Sequence, residues 1–258
     1  MPTSNHAADL VLDLDVPVGG RVRTTWTAPI GEPRGWAWVQ HGFARRSAAL
    51  AGLAQLLAGD GIAVVRPDIA WWRPRRSMHD ATWLTAASLT IARAVEVGLP
   101  QARGVGVGAP AVWTMVGHSA GGAVVAHAAA CLEARSGDSA GVAGLVLLDP
   151  VDTVGGLLAG VLPALEDSLR DRAVVHRCRP SRCNRQGATT AELAGRGWDV
   201  IDHPGLSHAD PERIPGSPAG PVLDPDPWAA RVCGRPGSAE DVLALAAAVR
   251  AEVGSAYP

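Results

Sequence analysis

The sequence predicts an α/β domain in which a mostly parallel sheet is covered by helices on both faces. Three observations lead there. Short, wholly apolar runs alternate with longer stretches of helical periodicity, which is the pattern of strands joined by crossover helices. The apolar runs are continuous rather than alternating, as expected of strands buried on both sides. At 258 residues, 47% hydrophobic and 19% charged, the chain has apolar material for one large core, so a single domain over residues 1–258 is expected.

The elements follow in order. Residues 10–18 and 21–27 alternate like strands and meet at Gly19-Gly20, so an antiparallel hairpin opens the domain. Residues 36–40 form a buried strand that exits into His41-Gly42-Phe43. A helix over 47–57 ends at Gly59-Asp60-Gly61, and a strand over 62–65 ends at Pro67-Asp68. A long helix is predicted over 81–97, a strand over 112–116 and an Ala-rich helix over 122–134. Strands over 142–148, 172–176 and 199–201 and a closing helix over 239–253 complete the alternation. Residues 204–227, rich in Pro, Gly and Asp, read as a long surface loop. The stretch between Asp152 and Arg172 has room for a short helix or two but not for a large cap. In such sheets functional groups lie just beyond the carboxyl ends of the strands.

One motif stands at such an end. Gly117-His118-Ser119-Ala120-Gly121 joins the strand over 112–116 to the helix that follows. G-x-S-x-G is weak evidence in isolation, but here it has the strand and helix that a nucleophile elbow requires. The sharp turn crowds the backbone, so small residues are needed two positions either side of Ser119, and Gly117 and Gly121 supply them. Ser119 also falls at a helix N-terminus, where the dipole favours developing negative charge.

An acyl-transfer site needs two N–H donors for the oxyanion. Ala120, after the nucleophile, is one candidate, and Phe43, in the His41-Gly42-Phe43 loop, is the other. A base must come from the loops after the last strands, which offer His203 and His208. His203 follows its strand closely and precedes Pro204, whereas His208 lies further out with Gly205 giving freedom to reach inward, so His208 is preferred. For the acid, the loop after the strand over 172–176 (residues 178–187) contains no carboxylate. The acid is therefore expected one strand earlier, at Asp149, with Asp152 as the fallback. Asp149 sits directly at the strand end, where the sheet holds the backbone of a residue that must orient an imidazole.

Gly117-His118-Ser119-Ala120-Gly121-Gly122 together with Leu148-Asp149-Pro150-Val151-Asp152 resembles the chlorophyllase-like branch of the α/β-hydrolases. The pattern is also similar to the platelet-activating-factor acetylhydrolases, which likewise place the acid after the earlier strand. The resemblance spans most of the chain, from Trp36 to about Cys233. It implies an α/β-hydrolase fold, a lidless serine esterase, no cofactor, and a triad of Ser119, Asp149 and His208. One position departs from the pattern: Ala120 stands where plant chlorophyllases usually carry a larger or charged residue. A small ester is the expected substrate, and a thioesterase or acyltransferase using the same triad is the alternative. A non-catalytic binder on this scaffold has no need to keep all three residues.

Around this centre, Trp71-Trp72 follows the strand ending near Asp68 and reads either as a substrate-gripping pair or as packing under a loop. The apolar stretch 154–165 lies close to the acid and reads as an acyl-pocket lining or as core. Arg45-Arg46 and Arg73, Arg75 and Arg76 gather in two loops that can attract an anionic substrate or form a solvated face. A net charge of −2 argues against nucleic acid as a partner. The uncharged stretch 104–132 is broken by Gly, Pro, Ser and His, so it is not read as a membrane span. Residues 1–10 show no positive region followed by an apolar run, and a cytoplasmic location is expected. Of four cysteines, Cys131 lies in helical sequence. Cys178, Cys183 and Cys233 lie in loop-like sequence, where a Cys183–Cys233 or a Cys178–Cys183 bridge is possible. The spacing does not match a zinc site.

Overall fold

The structure, a computed structural model, describes residues 9–16, 20–68, 81–103, 112–134, 141–152 and 156–257. Among the described residues, eight strands form one sheet: β1 (Leu10–Val16), β2 (Gly20–Thr27), β3 (Gly35–Gln40), β4 (Ile62–Pro67), β5 (Val112–His118), β6 (Gly141–Leu148), β7 (Ala173–Cys178) and β8 (Asp199–His203). Their order is β1-β2-β4-β3-β5-β6-β7-β8. The opening hairpin pairs antiparallel, β2 is antiparallel to β4, and every pairing from β4 to β8 is parallel.

Among the described residues there are seven α-helices, the last two following β8: α1 (Ala51–Gly59), α2 (Ala81–Arg103), α3 (Ala120–Glu133), α4 (Leu157–Ser168), α5 (Ala188–Gly195), α6 (Pro227–Cys233) and α7 (Ala239–Ser255). The continuous apolar strands feed two cores. Trp113, Met115, Leu145 and Leu147 point into the core under α2, α3 and α4. Their alternates Val116, Val146 and Leu148 point into the core under α1 and α7. This is the period-two alternation of a strand read on a sheet with both faces covered. The closing helix is tied to the sheet centre through Tyr257, whose hydroxyl accepts from the Thr114 N–H at 3.0 Å and donates to the Trp36 carbonyl. A side chain at Gly35 would collide with that tyrosine ring.

Several expectations need correction. Cys178 is the buried last residue of β7 rather than part of a loop. The stretch 204–227 is not a surface loop throughout, since Leu206, Ser207, Asp210 and Ile214 are buried. Helices α5 and α6 were not expected. Arg75, Arg76, Trp71, Trp72 and Arg73, and the start of the 154–165 stretch, lie outside the described residues.

Candidate active site

Four loops converge at the carboxyl edge of the sheet, as a parallel α/β sheet requires of a functional site. The turn from β5 to α3 carries Ser119 at φ 57° and ψ −129°, a region that L residues avoid. The surroundings hold it there. Ser119 donates its N–H to the Leu148 carbonyl at 3.1 Å, and its own carbonyl accepts from Gly122 at 2.9 Å and Val151 at 3.1 Å. A Cβ at Gly117 would lie 2.5 Å from Val125 Cγ2 and 2.6 Å from the Gly121 carbonyl oxygen. A Cβ at Gly121 would lie 2.5 Å from the carbonyl oxygens of both Gln40 and His41. The two glycines thus serve different contacts: Gly117 admits the helix, and Gly121 admits the loop after β3. That loop reaches Ser119 itself, because a Cβ on Gly42 would lie 2.8 Å from Ser119 Cβ.

Beyond β8, His208 is brought inward and buried between two partners. Its Nε2 lies 2.9 Å from Ser119 Oγ and its Nδ1 lies 2.6 Å from Asp149 Oδ2. Asp149, wholly buried, follows β6 directly with φ 44°, and its N–H continues the ladder to the His176 carbonyl at 2.7 Å. Asp152 is elsewhere employed: its two carboxylate oxygens accept from the Leu158 and Ala159 N–H groups at 2.8 and 3.0 Å, closing the open N-terminus of α4. His203 is paired with His176 at 3.0 Å between ring nitrogens, away from Ser119.

The structure therefore brings Ser119, His208 and Asp149 into one hydrogen-bonded chain and leaves Asp152 and His203 out of it. Phe43 and Gly42 line the same pocket as Ser119 and His208, and Ala120 is the buried first residue of α3.

Three further residues shape the site. Asp210, fully buried, accepts from the Ser207 N–H at 2.6 Å and the Gly237 N–H at 2.7 Å and pairs with Arg213 at 2.7 Å, which fixes the loop carrying His208. His118 donates from Nε2 to the His208 carbonyl at 2.7 Å, with its ring 5.0 Å from the His208 ring. Burial, reinforced by the neighbouring His208, pushes its pKa down to about 3, so His118 stays neutral beside the His208 imidazole. Glu212 is held up by burial, against the pull of Arg45 at 3.0 Å. Arg45 also lies 3.5 Å from Asp226, so the arginine that lines the pocket is matched by two carboxylates.

The pocket has a volume of about 180 Å³. Its rim is apolar where Phe43 and Val232 stand exposed and where the Cys183–Cys233 disulfide forms the wall. This bridge excludes the Cys178–Cys183 alternative, and Cys178 is a buried free thiol. Among the described residues no cluster of three His, Cys, Asp or Glu side chains is placed to hold a metal ion. No helix among them is long and apolar enough to cross a membrane.

No protein-family model matches the chain, and no curated protein matches it in sequence. Solved structures do. Carboxyl esterase 2 from the mycorrhizal fungus Tuber melanosporum superposes with a TM-score of 0.64 at 15% identity, over 100% of this chain and 88% of that one. The chain has the α/β-hydrolase fold. A serine hydrolase without a lid from Xanthomonas campestris superposes at TM-score 0.61 and 17% identity, covering 100% of this chain and 97% of that one. A dienelactone hydrolase from Anabaena variabilis does so at 0.63 and 14%, covering 97% and 99%. At these identities the likeness is one of fold, and the chemistry must be argued from this chain's own residues.

Proposed function

We propose that the chain is a serine hydrolase that cleaves small carboxylic esters through an acyl-enzyme on Ser119. The observation that carries the reading is the chain of contacts from Ser119 Oγ to His208 Nε2, 2.9 Å, and from His208 Nδ1 to Asp149 Oδ2, 2.6 Å, at the tip of a strand–turn–helix elbow. In this reading His208 removes the proton from Ser119 as its oxygen attacks the ester carbonyl. Asp149 accepts from Nδ1–H, keeps the lone pair on Nε2, and stabilises the imidazolium that forms. The N–H groups of Ala120 and Phe43 receive the oxyanion, one from the α3 terminus and one from the loop that abuts Ser119. His208 then protonates the leaving alcohol, and water, activated by the same imidazole, releases the acid.

The pocket favours small, neutral substrates. Its volume of about 180 Å³ is below the roughly 300–1,000 Å³ of drug-sized sites, so it takes a short acyl or alcohol group. Arg45, the cation at its edge, is balanced by Glu212 and Asp226, which speaks against Arg45 as the site of an anionic substrate. Names of the structural neighbours (carboxyl esterase, serine hydrolase without lid, dienelactone hydrolase) agree with ester chemistry. Among the described residues there is no large cap, and this and the early acid fit the lidless, chlorophyllase-like branch. The Cys183–Cys233 bridge favours an oxidising compartment over the cytoplasm as the place of work, because such bridges persist where thiols are not kept reduced.

The test is turnover of p-nitrophenyl acetate and butyrate against esters carrying a carboxylate on the acyl chain. Hydrolysis of the neutral esters with no gain for the anionic ones is expected. A chain that turns over none of them, or only the anionic ones, contradicts the reading.

A further inference from the structure

The loop after β7 carries no carboxylate, and the structure shows what stands there instead. Asn184 is 1% exposed, and its Nδ2 donates to Asp149 Oδ2 at 2.9 Å. That oxygen is the one His208 Nδ1 approaches at 2.6 Å, while Asp149 Oδ1 accepts from the Cys178 N–H at 3.2 Å. The amide of Asn184 cannot turn over. Its Oδ1 accepts from the Ser181 N–H at 2.8 Å, and the second Nδ2 hydrogen goes to the Arg179 carbonyl at 3.0 Å. With the oxygen committed to a backbone donor, the nitrogen must face the carboxylate.

The loop around Asn184 is not one that the chain adopts freely. Arg185, Gln186 and Gly187 follow with φ of 51°, 59° and 75°, three successive left-handed residues of which two are not glycine. Cys183, the residue immediately before Asn184, is bridged to Cys233 at the end of α6. Asn184 does not line the pocket, so it meets the reaction only through Asp149.

We propose that Asn184 is a positioning residue of this site, holding the Asp149 carboxylate in the orientation that His208 needs, and that the Cys183–Cys233 bridge keeps it there. The proposal rests on the Ser119–His208–Asp149 reading given above. It assigns a task to the segment that the sequence left without one. The loop that carries the acid in many enzymes of this fold here supplies an amide that supports an acid from the neighbouring strand.

The test compares wild type with Asn184→Leu, which keeps the size but loses the donor, and with the smaller Asn184→Ala, which loses it too. Each is measured on p-nitrophenyl butyrate, with kcat expressed per serine labelled by a fluorophosphonate. That normalisation removes misfolded protein, and Asn184→Ala serves where the Leu variant does not fold. The expected result is a fall in kcat of about 10- to 100-fold, as for loss of a hydrogen bond to a charged group, with KM within about two-fold. The double variant Cys183→Ser/Cys233→Ser should lower kcat in the wild-type background and lower it no further when Asn184→Leu is already present, because residues acting in one chain of contacts do not add. Wild-type kcat in the Asn184 variants overturns the proposal, as does a loss expressed in KM alone. Equal loss, or none, from the cysteine pair in both backgrounds overturns the role of the bridge. Ser119→Ala is run alongside: activity retained there fails the site reading itself, whereas a dead Ser119→Ala with an unimpaired Asn184→Leu fails only this inference.

Discussion

Replacing Asp149 by Asn is the most informative single change near the site, because every neighbour of its carboxylate is a donor. Oδ2 accepts from His208 and Asn184, and Oδ1 accepts from the Cys178 N–H. An amide offers one acceptor and one donor. If its oxygen stays toward His208, the new NH2 faces the Cys178 N–H. If it turns, the NH2 faces both Asn184 and His208 and drives the imidazole into the tautomer with no lone pair for Ser119. A mispaired buried polar group costs about 1–3 kcal/mol of stability. The tautomer error costs about 10⁴ in kcat, the size of the loss seen when the acid of a serine-protease triad is amidated. Asp152→Asn is the matched control. It weakens the end of α4 by about 0.5–2 kcal/mol and leaves kcat within a few-fold. Steady-state hydrolysis of p-nitrophenyl butyrate and urea unfolding separate the two effects. An Asp149→Asn enzyme within ten-fold of wild type, or an Asp152→Asn enzyme that is the inactive one of the pair, would refute the assignment of the acid.

Other outcomes follow from the same geometry. Gly121→Ala forces a methyl to within 2.5 Å of two backbone oxygens, so it should cost about 1–3 kcal/mol in unfolding and abolish activity by pushing the Phe43 loop from Ser119. A variant with normal turnover contradicts that packing. Removing the Cys183–Cys233 bridge frees a loop with a sequence separation of 50, and urea unfolding should show a loss of up to about 4 kcal/mol; an unchanged midpoint contradicts it. Burial lowers the pKa of His118 to about 3 and that of His176 to about 4 from 6.5. A lowered pKa in the fold means stability that is present above pH 6.5 and is lost as pH falls toward those values. Each histidine contributes a slope of at most about 1.4 kcal/mol per pH unit in that window. Denaturation at stepped pH should show a shallower acid slope in His118→Gln and in His176→Gln, and slopes equal to wild type would contradict the burial argument.

What could be read from the sequence was mostly local. The elbow is a strand, a turn and a helix that follow one another directly along the chain, and the crowding that demands Gly117 and Gly121 arises from chain neighbours and from the adjacent β3. The sheet strands were legible because burial on both faces makes them uniformly apolar, although their ends ran a residue or two beyond or short of the expected bounds. Asp149 was reachable by elimination, since the loop after β7 has no carboxylate. The preference for Asp149 over Asp152 rested on its place at the strand end; what the sequence did not show is that Asp152 is taken up by the Leu158 and Ala159 N–H groups of α4.

Contacts between distant segments were invisible. Asn184 meets Asp149 across 35 positions and Arg45 meets Glu212 across 167, and no local pattern marks either pair. The short helix α5 lacks a capping side chain, so its start carries no signal. Asp210 did have a trace in the sequence: Ser207-His208-Ala209-Asp210 is the spacing at which an Asp side chain closes back on a nearby N–H. Pro and Gly around it mask that trace and give the stretch the composition of a surface loop.

The most direct test of the central claim is covalent. Incubation with a fluorophosphonate probe followed by peptide mass spectrometry should place a single adduct on Ser119, in wild type and in Asp152→Asn alike, with labelling absent in Ser119→Ala and slowed by orders of magnitude in His208→Ala. Equal labelling of Ser119→Ala and wild type, or an adduct on another serine, would contradict the assignment of Ser119 as the nucleophile and with it the account of the site.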